Sequence, residues 1–296
     1  MASIRSASHA GTWYTNNATE LSSQLSNWLD SASFGSQPAR AIIVPHAGYR
    51  YSGSCAAYGF KQIDSESTKR IFILGPSHHV DIGPRCALSA ATLYKTPLFD
   101  LNVDNTVCDE LKSNGEFIQF SLEQDEDEHS IEMQLPFIAK VMERFRGRFT
   151  IVPIVVGNLS PEREAIYGRI LAPHLANSSN VFVISSDFCH WGRRFRYQYY
   201  NKQDGDIWQS IEKLDRMGMD IIEKLKPAEF TAYLQEYSNT ICGRRGIGIL
   251  LNAIQILRER GQGDWQMKFL KYAQSSHCES MDDSSVSYAA GAVTVS

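Results

Sequence analysis

The chain has 296 residues, 43% hydrophobic and 21% charged, with 29 Lys and Arg against 33 Asp and Glu for a net charge of −4. This balance suits an ordinary folded chain and excludes disordered, collagen-like and coiled-coil proteins. It also leaves no overall basic field for nucleic acid or an anionic membrane. Apolar runs such as 41–44 and 151–156 fall far short of the roughly 20 residues that cross a bilayer. The opening Met-Ala-Ser-Ile-Arg-Ser lacks the apolar core of a signal peptide, so a soluble, cytoplasmic protein is expected. The six cysteines (Cys55, Cys86, Cys108, Cys189, Cys242 and Cys278) are scattered and include no CxxC pair. Reduced thiols are expected rather than disulfides or a zinc knuckle.

In chain order, Asn17, Glu20 and the apolar series Leu21, Leu25, Trp28 and Leu29 predict a capped amphipathic helix. The burst at 41–44 predicts a strand that stops at Pro45-His46-Ala47-Gly48, followed by a small-residue helix over 52–60. A second burst at 71–74 stops in the same way at Gly75-Pro-Ser-His78-His79. One long helix is expected over 130–144, with Ile131, Leu135, Ile138 and Val141 on one face. A third strand follows over 149–156, where Pro153 suggests an edge or a bulge. A fourth, over 181–184, runs into Ser185-Ser-Asp187-Phe-Cys-His190-Trp191. Helices over 207–225, 228–236 and 246–258, then strands over 267–273 and 286–295, complete the chain. With no internal repeat and no linker, this predicts a single α/β domain over 1–296, its mostly parallel central sheet flanked by helices.

Chemistry-bearing residues gather just past the strands. In open parallel sheets ligands bind outside the carboxyl ends of the strands, and there stand His46, His78 and His79, and Asp187 with His190. A histidine after a strand is often only a hydrogen-bonded structural residue, but the clustering argues for a shared site. If a helix begins at Asp187, then Asp187 and His190 share a face. Two imidazoles with a carboxylate suit divalent iron, and three neutral ligands suit zinc. Cys242, ahead of an apolar helix and beside Arg244 and Arg245, is expected to present a thiolate readily; an inert buried cysteine is the alternative. The acidic run 125–128 suits a helix N-terminus. That leaves His129 and Glu132 as a general acid/base and its orienting partner. Arg193, Arg194 and Arg196, set among aromatics, form either a phosphate or carboxylate contact or a solvated rim. Trp13 and Tyr14 are candidates to line a cleft.

Six stretches resemble one known family: Ser8-His-Ala-Gly-x-Trp-Tyr14, Pro45-His-Ala-Gly-Tyr49, Gly75-Pro-Ser-His-His79, Asp127-Glu-His-Ser-Ile-Glu-Met133, Ser186-Asp-Phe-Cys-His-Trp191 and Asn239-Thr-Ile-Cys-Gly243. The chain is similar over nearly its whole length to the Memo family, described as mediators of cell motility, and to that family's eukaryotic branch. The resemblance implies a fold shared with class III extradiol dioxygenases, non-haem iron enzymes with two histidines and a glutamate as ligands. His46 and His78 fall where the histidine ligands would be. Cys242 stands in place of the glutamate, as in Memo proteins, which argues against ring cleavage and towards softer ions such as Cu(I). Asp187 and His190 match positions lining the same vestibule, and His129 would supply proton transfer. The family is also described as relaying receptor tyrosine kinase signals to the cytoskeleton and as binding copper or iron with redox consequences; a nuclear location beside the cytoplasmic one is left open.

Two readings from different classes follow. In one, His46, His78 and Cys242 hold iron(II) or copper for redox chemistry, with oxygen-dependent turnover left open. In the other, the chain is a non-enzymatic signalling adaptor. Its inherited cleft binds a peptide carrying phosphotyrosine, with Arg193, Arg194 or Arg196 on the phosphate and Trp13 on the apolar part. A zinc hydrolase is disfavoured, because neither an HExxH helix nor a nucleophile elbow is present.

Overall fold

The computed structural model describes residues 3–35 and 37–296; Met1 and Ala2, the first residues of the expected leaderless start, lie outside it. Its main element is a nine-stranded mixed sheet. The centre of that sheet is four parallel strands in the order Ala41–Val44, Asn180–Ser185, Arg70–Pro76 and Thr150–Val156. All four are almost wholly apolar and buried, as strands covered on both faces must be. The margins are not parallel. The strand Ser285–Val295 runs antiparallel to Ala41–Val44, to Trp265–Gln274 and to His190–Trp191. On the other side Cys86–Ser89 runs antiparallel to Thr150–Val156 and parallel to Phe117–Phe120. The expected mostly parallel sheet is thus a parallel core with antiparallel margins.

Pro153 stands inside the sheet, not at its edge. It pairs with Ile73 on one side, and on the other it falls between the isolated bridge of Ile151 to Val103 and the pairing with Cys86–Ser89 that begins at Ile154. A residue without an N–H is tolerated in that gap.

Helices cover both faces. Ala18–Ser31 is capped as expected, with the Asn17 side chain accepting from the Thr19 and Glu20 N–H groups. It packs on Tyr49–Phe60, which starts three residues before the expected helix. The single helix expected over 130–144 is instead three pieces, His129–Glu132, Leu135–Val141 and a 3-10 turn at Glu143–Phe145. Pro136 explains the break: it cannot donate to a preceding turn but is at home in the first turn of the second piece.

Behind the parallel strands, Pro161–Ala176 packs along Arg244–Glu259, and the latter also touches Arg70–Pro76 and Asn180–Ser185. The two helix backbones approach closely. A Cβ at Gly168 would lie 2.6 Å from the Asn252 Cβ and 3.0 Å from the Ala253 nitrogen. Gly168→Ala should therefore force the helices apart and lower stability by about 1–3 kcal/mol, read as a shifted midpoint in urea unfolding. An unchanged midpoint would show that the contact yields freely.

Candidate metal centre

Because the four parallel strands end on one side, the chain segments that follow them meet there. Ala41–Val44 delivers His46, Arg70–Pro76 delivers His78, and Asn180–Ser185 delivers Asp187. The segment before helix Arg244–Glu259 brings Cys242 from elsewhere in the chain. Gly243 allows that approach, since a Cβ there would meet the Ser185 carbonyl and the Ser186 Cβ at 2.4 Å. A nitrogen of His46, a nitrogen of His78 and Sγ of Cys242 all lie within 4.8 Å of one another.

The tautomer of each imidazole follows from what stands behind it. Ser185 Oγ donates to the Ser130 carbonyl (2.7 Å) and accepts from Gln134 Nε2 (2.8 Å). The hydroxyl has one proton, so at 2.7 Å from His46 Nδ1 it must accept there as well. His46 therefore carries its proton on Nδ1 and turns the Nε2 lone pair to Cys242, whose Sγ is 3.2 Å away. Burial, and then the neighbouring His78, push the His46 pKa well down, keeping the ring neutral. His78 is set by a carboxylate: its Nδ1 donates to Glu128 Oε1 (2.9 Å) and its backbone N–H to Glu128 Oε2 (2.6 Å). Its Nε2 is left free as well. A carboxylate or hydroxyl behind a histidine is the arrangement that orients metal-bound imidazoles.

Cys242 differs from expectation. Burial, with the Asp187 carboxylate adding to it, pushes the thiol pKa up rather than down. The arginines do not offset this, because Arg244 Nη1 donates to the Ile241 carbonyl and Arg245 Nη1 to Glu164. The sulfur accepts the Asp187 N–H at 3.2 Å. Two imidazoles whose Nδ1 atoms are engaged behind, and one thiol, with donor atoms within 4.8 Å of one another, fit a soft or borderline ion; such an ion would deprotonate the thiol on binding.

Asp187 and His190 do not share a helical face, for the segment is a loop leading into the short strand His190–Trp191. Asp187 Oδ1 accepts from the N–H groups of His46 (2.8 Å) and Ala47 (3.3 Å), fixing the turn that carries His46. Burial raises its pKa, against the pull of His190 and of the His46 N–H. His190 Nδ1 faces two carbonyls, of Phe188 (2.9 Å) and Thr240 (3.2 Å), so it bears the proton and Nε2 is the basic atom.

His129 is wedged between aromatic faces, with ring centroids 4.3 Å from His78 and 4.4 Å from Trp13. Burial, then His46 and His78, lower its pKa to about 3. Its buried Nδ1 has no hydrogen-bond partner, and the nearby carboxylate is Glu128, at 3.5 Å. The expected pairing with Glu132 does not occur. Glu132 accepts instead from Arg5 Nη1 (2.7 Å), Tyr14 Oη (2.8 Å), His9 Nδ1 (2.9 Å) and the His9 N–H (2.9 Å). The acidic run is therefore more than a helix start: Asp125 pairs with buried Arg5, and Glu128 holds His78. Among the residues named in advance, Trp13 is about one-third exposed and lines a cavity of about 630 Å³ with Tyr49, Arg50 and Tyr51. Arg193 and Arg196 lie on an exposed turn, where Arg193 pairs with Asp282 and Arg194 covers Phe195. All six cysteines are free. Glu128, Ser185, Gln134 and Arg5 were not singled out, and nothing in their local sequence marks them.

The site thus defines an α/β protein with a candidate His₂Cys centre at the ends of its parallel strands. The sequence profile of the family described as Memo-like protein matches residues 5–292. Protein MEMO1 of Mus musculus and of Homo sapiens are each 56% identical over 291 residues, covering 98% of this chain and 97% of the relative. Protein memo-1 homolog of Caenorhabditis elegans is 48% identical over 292 residues, covering 98% of this chain and 83% of the relative. The chain belongs to the Memo family. No helix among the described residues is long and apolar enough to cross a membrane.

Glu128 and Glu132 both sit at about 2 instead of 4.5: burial would raise them, but the hydrogen bond from His78 holds Glu128 down and His9 and Arg5 hold Glu132 down. Folded pKa values below the unfolded ones add stability above about pH 4.5, lost as pH falls towards about 2. Glu132→Gln should cost on the order of 3 kcal/mol at neutral pH. Urea unfolding across pH should show the gap to wild type closing as pH falls through that window; a pH-independent gap contradicts it.

Proposed function

We propose that the chain is a metal-binding redox protein in which His46, His78 and Cys242 hold iron(II) or copper. One observation carries this reading: three donor atoms from three separate segments lie within 4.8 Å of one another. Both imidazoles present Nε2 because Nδ1 is engaged behind. The dioxygenase-like fold belongs to the same proposal, as does the role in receptor tyrosine kinase signalling and cell motility.

Iron or copper held there would supply the one-electron chemistry that side chains lack, with oxygen-dependent oxidation as the reaction class to test. The protein's own part is positional and protic. Asp187 fixes the His46 turn through two backbone N–H groups. His190 offers an unprotonated Nε2, while His129, neutral between Trp13 and His78, is too weak a base at a pKa of about 3 to hold a proton. A thiol in place of a carboxylate ligand disfavours ring cleavage.

Metal analysis of untagged protein purified without oxygen tests the ligand set. Wild type should carry stoichiometric iron or copper, and Cys242→Ser should lose it; equal content in both would refute the assignment. Ser185→Ala, which removes the hydroxyl behind His46 together with its bonds to Ser130 and Gln134, should weaken metal affinity by about 10–100-fold.

A second reading has its own support. The cavity of about 630 Å³ beside Trp13 also holds exposed Tyr51 and Arg50, whose guanidinium lies 4.5 Å from the Tyr51 ring centre. We propose it as the place where a peptide, with or without phosphotyrosine, would dock. Trp13→Ala should then weaken peptide binding without changing metal content, and equal binding by the variant would remove this reading.

A further inference from the structure

A guanidinium partly out of water is costly unless an anion faces it. Arg244 is half-buried, and among the described residues no carboxylate pairs with it; its Nη1 donates only to the Ile241 carbonyl at 3.0 Å. Glu164, the acid in this neighbourhood, is engaged by Arg245 Nη1 at 2.9 Å. Two consecutive arginines therefore share one carboxylate, and the local charge stays positive.

Both arginines border a cavity of about 120 Å³, whose wall also includes Pro76, Ser77, Asn158 and Cys242. Its size limits the occupant. Liquid water takes about 30 Å³ per molecule, and drug-sized ligands need roughly 300 Å³ or more. One carboxylate or phosphate group fits, and a whole nucleotide does not. The cavity opens where the Arg70–Pro76 and Thr150–Val156 strands end, with Cys242 in its wall, so a group seated there lies beside the His46–His78–Cys242 cluster.

We propose that this cavity is an oxyanion subsite, in which Arg244, backed by Arg245, takes the carboxylate or phosphate of a small ligand whose remainder lies over Cys242. The subsite itself stands on the arginines and the cavity; the placement of the remainder rests on the metal-centre reading. The substrate class implied for the centre is a small organic anion. An arginine fork recognises either oxyanion through paired N–H donors.

The test is calorimetric titration of the full chain, at low salt, with inorganic phosphate and separately with acetate. Wild type should bind phosphate saturably, and Arg244→Met should bind about tenfold more weakly or worse, as expected for loss of a charge-assisted hydrogen bond. Arg244→Lys keeps the charge but loses the fork, so it should fall between the two and serves if Arg244→Met fails to fold. Lys95→Met, exposed and outside the cavity wall, should bind as wild type does. Acetate binding with the same dependence on Arg244 identifies a carboxylate site, and binding of phosphate alone a phosphate site. No saturable binding of either anion, or equal binding by wild type and the Arg244 variants, overturns the proposal. Metal content measured on the same samples separates the two readings: anion binding without metal leaves the subsite standing and removes the metal centre, and metal without anion binding does the reverse.

Discussion

A fully buried arginine must find an oxygen for every N–H, and the candidate site is built around one that does. Arg5 Nε donates to the carbonyl and carboxylate of Asp125, Nη1 to Ser6 O and Glu132 Oε2, and Nη2 to the carbonyls of Asp125 and Glu128. Removing either partner of such a pair leaves a charge buried alone, which costs several kcal/mol. The clamp fixes the segment from Asp125 to Glu132. That segment supplies the Glu128 carboxylate behind His78, the His129 ring stacked on it, and the Ser130 carbonyl that orients Ser185 behind His46. Arg5, in the short strand Ile4–Arg5, thus acts at a distance on two of the three proposed ligands.

The parallel core supplies the other half of the geometry. Its strands end together and place His46, His78 and Asp187 with little freedom, while Gly243 lets the Cys242 segment press against Ser185 and Ser186. Nδ1 of each histidine is engaged behind, which turns Nε2 forward, and the Cys242 sulfur stands 3.2 Å from the His46 Nε2 while accepting the Asp187 N–H. Burial raises the Cys242 thiol and lowers His46, so that without a cation both would be neutral, and a cation held there would favour the thiolate. Metal binding, as proposed, would therefore be coupled to proton release.

Much of this was legible in the sequence. The apolar bursts that stop at Pro-His and Pro-Ser-His located the parallel strands and the two histidines, because a covered strand must be apolar and its end must turn polar. The motif around Cys242 pointed to the third proposed donor by resemblance. What was illegible depends on long-range contacts. Arg5 and Asp125 are 120 residues apart, and nothing local distinguishes a carboxylate that caps a helix from one that holds a histidine. The depressed thiol pKa expected from Arg244 and Arg245 failed for the same reason, since side-chain direction is not written in adjacency. The long helix over 130–144 failed locally, at Pro136, where the apolar period ran on through a break in the backbone.

The central claim is that sulfur and two imidazole nitrogens share one ion. X-ray absorption at the iron or copper edge of the loaded protein tests it most directly. One sulfur and two histidine nitrogens in the first coordination sphere is the predicted result. A sphere of nitrogen and oxygen alone would contradict the account.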